Sequence, residues 1–220
     1  MKEVAEGVWQ VPLMPRNGVN AWLVGEVIVD AGYAVSGRKV VEALRGREVT
    51  VHAITHAHPD HVGGSAHVCR ELGVPFWCPA GDAAAVRDGK SVGAESRISF
   101  LLDRARSFEP VAIARELREG DEVAGFRVLD VPGHSPGHVA LWREGDRVLI
   151  GGDVFFNLSL KTLRYGLREP PGPFTVDPAR NRESMRRLAG LEPSVACFGH
   201  GPPVTDAAAW LRSCVAKLPA

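Results

Sequence analysis

Residues 55–64 read THAHPDHVGG, and three histidines and an aspartate fall at positions 56, 58, 60 and 61. Neutral imidazole nitrogen and carboxylate oxygen are the donors that bind zinc and similar cations, so His-x-His-x-Asp-His offers four ligands before any distant contact is counted. On an extended segment side chains alternate with period two, which puts His56 and His58 on one side and lets them grip one ion. Pro59 then bends the chain, so Asp60 and His61 point elsewhere, toward a second ion. Gly63-Gly64 follow, where the backbone can pass close to the site without a Cβ in the way.

Three later loops carry further donors: PGHSPGH with His134, GGD with Asp153, and GHG with His200. Each follows a strand-like run and is bracketed by glycine. One histidine beside glycine is ordinarily a turn residue. Five histidines and two aspartates at strand ends form a pattern that solvated loops do not explain.

The surrounding pattern supplies the scaffold. NAWLVGEVIVDAG is two apolar runs around Gly25-Glu26, a hairpin with Asp30 at the end of its second strand. Residues 35–45 read as a short helix, TVHAITHAH as a strand that stops where the histidines begin, and 62–72 as a helix closed by Gly73. PFWC reads as a short strand. The stretch 80–106 has helical periodicity, with RISFLLDRARSF as a core-facing helix. FRVLDVPG and HVALWREGDRVLIGGD restart the strand pattern, the latter as a hairpin at Glu144-Gly145-Asp146. Residues 158–176 read as a loop, and Asp177-Pro178 as the cap and first residue of a helix reaching about Leu188. VACFGHG is a last strand, and a closing helix over 206–217 sets Trp210, Leu211, Cys214 and Leu218 toward the core. Strands interleaved with helices over 220 residues predict one domain, 1–220, whose sheets are covered by helices.

Composition narrows the function classes. The 26 Lys and Arg balance the 26 Asp and Glu without a basic run, which removes the electrostatic footprint of nucleic-acid binding and favours a small-molecule substrate. Cys69, Cys78, Cys197 and Cys214 are scattered, as expected of free thiols in a reducing compartment. With no segment resembling a signal peptide or a membrane span, a cytoplasmic protein is expected, with a homodimer as the candidate assembly.

The motifs VIVDAG, THAHPDH, PGHSPGH, GGD and GHG, in this order across nearly the whole chain, resemble the metallo-β-lactamase-fold hydrolases. The resemblance implies a four-layer αββα sandwich of two mixed sheets, an α/β protein, with the site at one edge. It implies that His56, His58 and His134 hold a first metal, that Asp60, His61 and His200 hold a second, and that Asp153 bridges them. Asp30 matches a carboxylate that orients ligands, and His138 is assigned a supporting hydrogen bond. His52 and His67 are packing or surface residues. Two zinc ions are expected, although iron and manganese accept the same donors. Two cations about 3.5 to 4 Å apart would lower the pKa of a shared water toward about 7, a nucleophile for an activated acyl bond, with Asp60 as its proton acceptor.

Departures narrow the kinship. Lactamases of this fold generally lack the bridging aspartate, flavodiiron proteins carry a carboxylate where His58 stands, and lactonases often have a tyrosine soon after the bridging aspartate, where this chain has Phe155-Phe156. Hydroxyacylglutathione hydrolases share HxHxDH and a motif close to GHSPGH, yet their basic C-terminal region has no counterpart here. Thioester or ester hydrolysis is therefore expected, with a mononuclear-iron persulfide dioxygenase as the non-hydrolase alternative and a lactonase or phosphodiesterase as alternatives in the fold. Phe155, Phe156 and Leu158 are expected to form an apolar wall, and Lys161, Arg164 or Arg168 to meet an anionic group.

Overall fold

A computed structural model describes residues 1–92 and 107–219. A first sheet of seven strands runs in sequence order: β1 (Lys2–Ala5), β2 (Val8–Pro12), β3 (Asn20–Val24), β4 (Val27–Val29), β5 (Val51–Ala53), β6 (Phe76–Pro79) and β7 (Ile113–Leu117). Its first four strands pair antiparallel, and the pairs from β4 to β7 are parallel. Three parallel pairs require crossovers. The first passes through α1 (Gly37–Ala43) and the second through α2 (Pro59–Val62) and α3 (Ser65–Leu72), while α4 (Ala83–Asp88) follows β6.

The second sheet is built from β8 (Glu122–Val123), β9 (Phe126–Asp130), β10 (Val139–Arg143), β11 (Val148–Ile150), β14 (Val195–Cys197) and β15 (Val204–Thr205), in the order β15-β14-β11-β10-β9-β8. Only β11 and β14 are parallel in it. Between them lie a small hairpin, β12 (Phe156–Leu158) with β13 (Tyr165–Arg168), and α5 (Pro178–Gly190); α6 (Ala207–Val215) ends the chain.

Period-two alternation turns these strands into layers. In β3, Trp22 and Val24 face the second sheet, whereas Ala21 and Leu23 pack with Val40, Leu44 and Val68 of the flanking helical layer. In the second sheet, Val128, Leu141 and Ile150 join the core between the sheets, and Leu129, Ala140 and Leu149 pack outward on Met185, Leu188 and Leu211 of α5 and α6. Both sheets are mixed and each carries helices on its outer face, the αββα sandwich expected from the sequence.

Several local expectations change. Residues 158–176 contain β13 and so are not wholly a loop. Trp210 was expected in the core but is 57% exposed, while Leu211 and Cys214 of the same helix are buried. RISFLLDRARSF, read as a core-facing helix, lies almost entirely outside the described residues. Among the described residues no helix is long and apolar enough to cross a membrane.

Candidate metal centre

Every strand that delivers a site residue ends at the same edge of the sandwich. Chain leaving β5 supplies His56 and His58; Pro59 starts α2, whose single turn carries Asp60 and His61. The β9–β10 connection supplies His134, and the chains leaving β11 and β14 supply Asp153 and His200. All seven expected residues converge in two groups, His56 with His58 and His134, and Asp60 with His61, Asp153 and His200.

The rings meet as ligands of shared centres would. His56 Nε2 and His58 Nδ1 face each other at 3.0 Å. Asp153 Oδ2 lies between the groups, 3.3 Å from His134 Nε2 and 3.9 Å from His56 Nε2 on one side, 3.2 Å from His61 Nε2 and 3.1 Å from His200 Nε2 on the other. Although close, His61 Nε2 and His134 Nε2 find no hydrogen-bond partner among the described residues, and Asp153 Oδ1 is likewise buried without one. Buried polar atoms left without partners are costly. Convergent lone pairs that fail to bond each other are what a cation would satisfy, so the residues present fit a metal centre.

The opposite edge of four of the five rings, those of His56, His61, His134 and His200, is tied down, which sets the tautomer that leaves the inward nitrogen free to donate its lone pair. His61 Nδ1 donates to Asp30 Oδ2 at 2.8 Å, and His200 Nδ1 donates to the Gly18 carbonyl. His56 Nδ1 sits 3.1 Å from Thr55 Oγ1, whose hydroxyl donates to Asp30. His134 Nδ1 sits 3.2 Å from Thr175 Oγ1, which in turn donates to the Pro171 carbonyl. Asp30 thus orients two rings at once, as the sequence led us to expect. Its own backbone is left-handed, φ 64°, and aims the carboxylate back at Thr55 and His61. His138 Nε2 accepts from the Asp153 backbone N–H at 3.0 Å and its ring stacks on His56, a supporting role. His52 is buried on β5, bonded to Ile28 O and Ser65 Oγ, away from the centre.

Electrostatics differ between the two groups. Burial, followed by repulsion among imidazoles, holds His56 well below the ordinary histidine range and His58 at about 3, so both are neutral donors. In the other group burial opposes charge but loses. Asp153 and Asp30 raise His61 well above its ordinary value, and Asp153 with Asp60 lifts His200 to about 10. His200 and His61 in turn hold Asp60 and Asp153 below the usual carboxylate range. A cation held by this group would take the place of protons on imidazole, so its binding would be coupled to proton release.

Three residues that pattern reading passed over hold the loops together. Asp82, fully buried, accepts from Ala57 N, Ser135 Oγ and Gly137 N at 2.7–2.9 Å, locking the His56–His58 segment to the His134 loop. Asn20 donates to Phe198 O and Gly201 O while accepting from Gln10, pinning the His200 loop to the first sheet. Thr55 links His56 to Asp30. Each follows or begins a strand as an ordinary polar residue, a signal too common to single them out. Gly199 is required by close approach, because a Cβ there would collide with Asp153 Oδ1 and the His61 ring. Gly63 and Gly64 are needed for a different reason from the one expected: they let α2 and α3 pass the backbone of residues 31–37 rather than the ligands.

The centre opens into a cavity of about 570 Å³ lined by His58, Asp60, His134, Asp153 and His200 at its floor. Phe156 and Leu158 form part of its wall as expected, but Phe155 does not, being packed against Phe198 in the core under α5. Nor do Lys161, Arg164 or Arg168 line it. Arg168 turns back onto the Gly166 and Arg164 carbonyls, and among the described residues the cation on the cavity wall is Arg16.

Comparison with known proteins agrees with this geometry. The chain is 28% identical over 234 residues to the probable metallo-hydrolase YflN of Bacillus subtilis, covering 92% of this chain and 87% of that protein. It is 31% identical over 178 residues to a hydroxyacylglutathione hydrolase of Bdellovibrio bacteriovorus, 78% of this chain but only 56% of that protein's length. The crystal structure of TTHA1623 in a di-iron-bound form superposes with a TM-score of 0.68 at 30% identity, covering 91% of this chain and 96% of that one. Residues 14–200 match the family model described as the metallo-beta-lactamase superfamily. With the αββα sandwich and the histidine-aspartate cluster at its edge, the chain belongs to the metallo-β-lactamase superfamily.

Proposed function

We propose that the protein is a dinuclear metallo-hydrolase that cleaves an activated acyl bond, a thioester or an ester, of a small substrate. The observation that carries this reading is Asp153 Oδ2, set between two complete donor groups that share one cavity floor. A full second group favours two ions over the single-iron arrangement of a persulfide dioxygenase. The kinship with proteins described as metallo-hydrolases, one of them a thioester-cleaving hydroxyacylglutathione hydrolase, supports the bond type. Oxygen and nitrogen donors suit zinc, iron or manganese, and zinc is our proposal.

When bound, such a cation pair lowers the pKa of water and polarises a carbonyl oxygen. The protein's own residues do the rest. Asp60 faces the cavity with Oδ2 3.2 Å from His200 Nε2, where it can orient a water and take its proton. Phe156 lies against the His200 ring, with centroids 4.2 Å apart, and keeps that side of the floor dry. Tyr33 lines the cavity too; burial, then Asp60 and Asp153, push its phenol up to about 12, so it remains a hydrogen-bond donor at neutral pH.

The test is metal analysis of protein purified without added metal, joined to a screen of thioesters, esters, lactones and phosphodiesters. Chelator-treated protein and Asp60→Ala serve as controls. We expect close to two ions per chain and acyl hydrolysis that chelation abolishes, with kcat roughly 10²–10⁴-fold lower in Asp60→Ala. Phosphodiester turnover alone, or acyl hydrolysis indifferent to chelator, would defeat the proposal.

A further inference from the structure

Above its polar floor the cavity is a different chemical environment. Ten large apolar side chains are exposed among the described residues, and five of them line this one cavity: Met14, Tyr33, Leu160, Leu163 and Phe174. These five are 42–52% exposed. Exposed apolar surface gathered in a concave site marks a place where apolar surface is meant to be covered. The buried wall continues it with Phe156 and Leu158.

The rim is built rather than incidental. Arg16 and Asn17 on one side and Leu163 on the other have left-handed backbones, φ 58°, 53° and 55°, a conformation that costs a non-glycine residue free energy. They are joined across the mouth, because the Arg16 guanidinium donates to the Leu163 carbonyl at 3.0 Å and lies over the Tyr165 ring. The same loop is anchored to the metal centre through Gly201 N to Asn17 O and His200 Nδ1 to Gly18 O. Leu160 and Leu163 stand on the β12–β13 turn, itself closed by Leu163 N to Ser159 O and Ser159 N to Arg164 O. Arg16 is paired with no carboxylate among the described residues, so most of its five N–H donors are unspent at the edge of an apolar chamber.

We propose that the substrate is amphiphilic: an ester or thioester whose medium-length apolar acyl chain lies against Leu158, Leu160, Leu163 and Phe174, and whose anionic group is bound by Arg16 at the rim. The scissile carbonyl then sits over Asp60 and Asp153, with the chain filling the chamber above. A volume of about 570 Å³ corresponds to roughly twenty water-sized groups, enough for a chain of about eight carbons with the reacting centre and its anion. This inference rests on the acyl-hydrolase reading, and its test separates the two.

The metal-loaded protein is assayed with acetyl, butanoyl, hexanoyl and octanoyl thioesters, each made with anionic 3-mercaptopropionate and with neutral N-acetylcysteamine. We expect kcat/KM to rise two- to fourfold per methylene up to octanoyl, and Leu163→Ser and Phe174→Ser each to flatten that slope. Arg16→Gln should reduce the ratio of anionic to neutral kcat/KM about tenfold. In parallel, octanoate and acetate are titrated calorimetrically into the same protein, where octanoate should bind at least 30-fold tighter and lose most of that advantage in Leu163→Ser. A flat chain-length series, equal binding of the two carboxylates, or an anionic-to-neutral ratio that Arg16→Gln leaves alone overturns the proposal. If no thioester or ester is cleaved the hydrolase reading fails, while the two titrations still decide whether the chamber takes an apolar chain.

Discussion

At the scale of single residues, the centre depends on tautomers. Asp30 accepts from His61 Nδ1 and, through Thr55, fixes His56; in Asp30→Asn an amide N–H can face the His61 ring instead of an oxygen. The ring's Nδ1 then accepts, and Nε2 keeps the proton that a bound cation would have to displace. We expect metal affinity about 10- to 100-fold weaker, measured by competition with a chromophoric chelator, with the fold retained by circular dichroism. A second residue-scale prediction concerns His52, whose folded pKa is lowered to about 4 by burial, against the backbone hydrogen bond to Ile28. Because the unfolded chain takes up this proton more readily, the contribution is fully present above about pH 6.5 and is lost as pH falls toward 4. Between pH 7.5 and 4.5 this one group accounts for roughly 2 to 3 kcal/mol. Urea unfolding of chelator-treated wild type and His52→Gln at both pH values checks it: the variant should lose that much less stability on acidification.

At the scale of elements, the centre is only as rigid as the contacts that hold one strand end against the next. Asn20 at the start of β3 reaches three partners on two segments, two of them carbonyls of the His200 loop. Asn20→Ala leaves those carbonyls and the Gln10 amide buried without partners, which should cost about 2 to 3 kcal/mol by denaturant midpoint and lower the metal content of the purified protein. Asp82 performs the corresponding task between the β5 and β9–β10 loops. Sequence reading found the strands and helices that carry the ligands because their apolar periodicity is strong. It missed β13, since the stretch after Leu158 is broken by Gly and Pro and the hairpin borrows its closure from Asn157 Oδ1 accepting from Gly166 N. Helical spacing alone points Trp210 inward, yet α6 buries only the stripe through Ala207, Leu211 and Cys214.

At the scale of the whole molecule, the seven clustered residues come from both sheets: four from the chain leaving β5, one from the β9–β10 connection, and two from the ends of β11 and β14. Bound cations would therefore clamp one half of the sandwich to the other and stabilise only the assembled state. Chelation is expected to lower Tm by roughly 5 to 10 °C, and stoichiometric zinc, iron or manganese to restore it. Differential scanning fluorimetry measures this directly, and an unchanged Tm would mean that the cations do not bridge the sheets.

The sequence by itself determined the layered fold and singled out the seven residues that the fold brings together, because short-range periodicity writes strands and helices into the chain and His-x-His-x-Asp-His concentrates ligand chemistry in one short segment. It also carried Asp30 and the supporting place of His138. Only the tertiary structure decided which cation stands at the cavity, Arg16 from the β2–β3 loop rather than Lys161, Arg164 or Arg168, and which aromatic forms its wall, Phe156 rather than Phe155. It alone revealed Thr55, Asp82 and Asn20 as the residues that hold the loops in register. The reason is physical: a ligand is recognised by its element and spacing, whereas a neighbour 25 to 181 residues away along the chain is selected by how two sheets twist and pack, which no local pattern encodes.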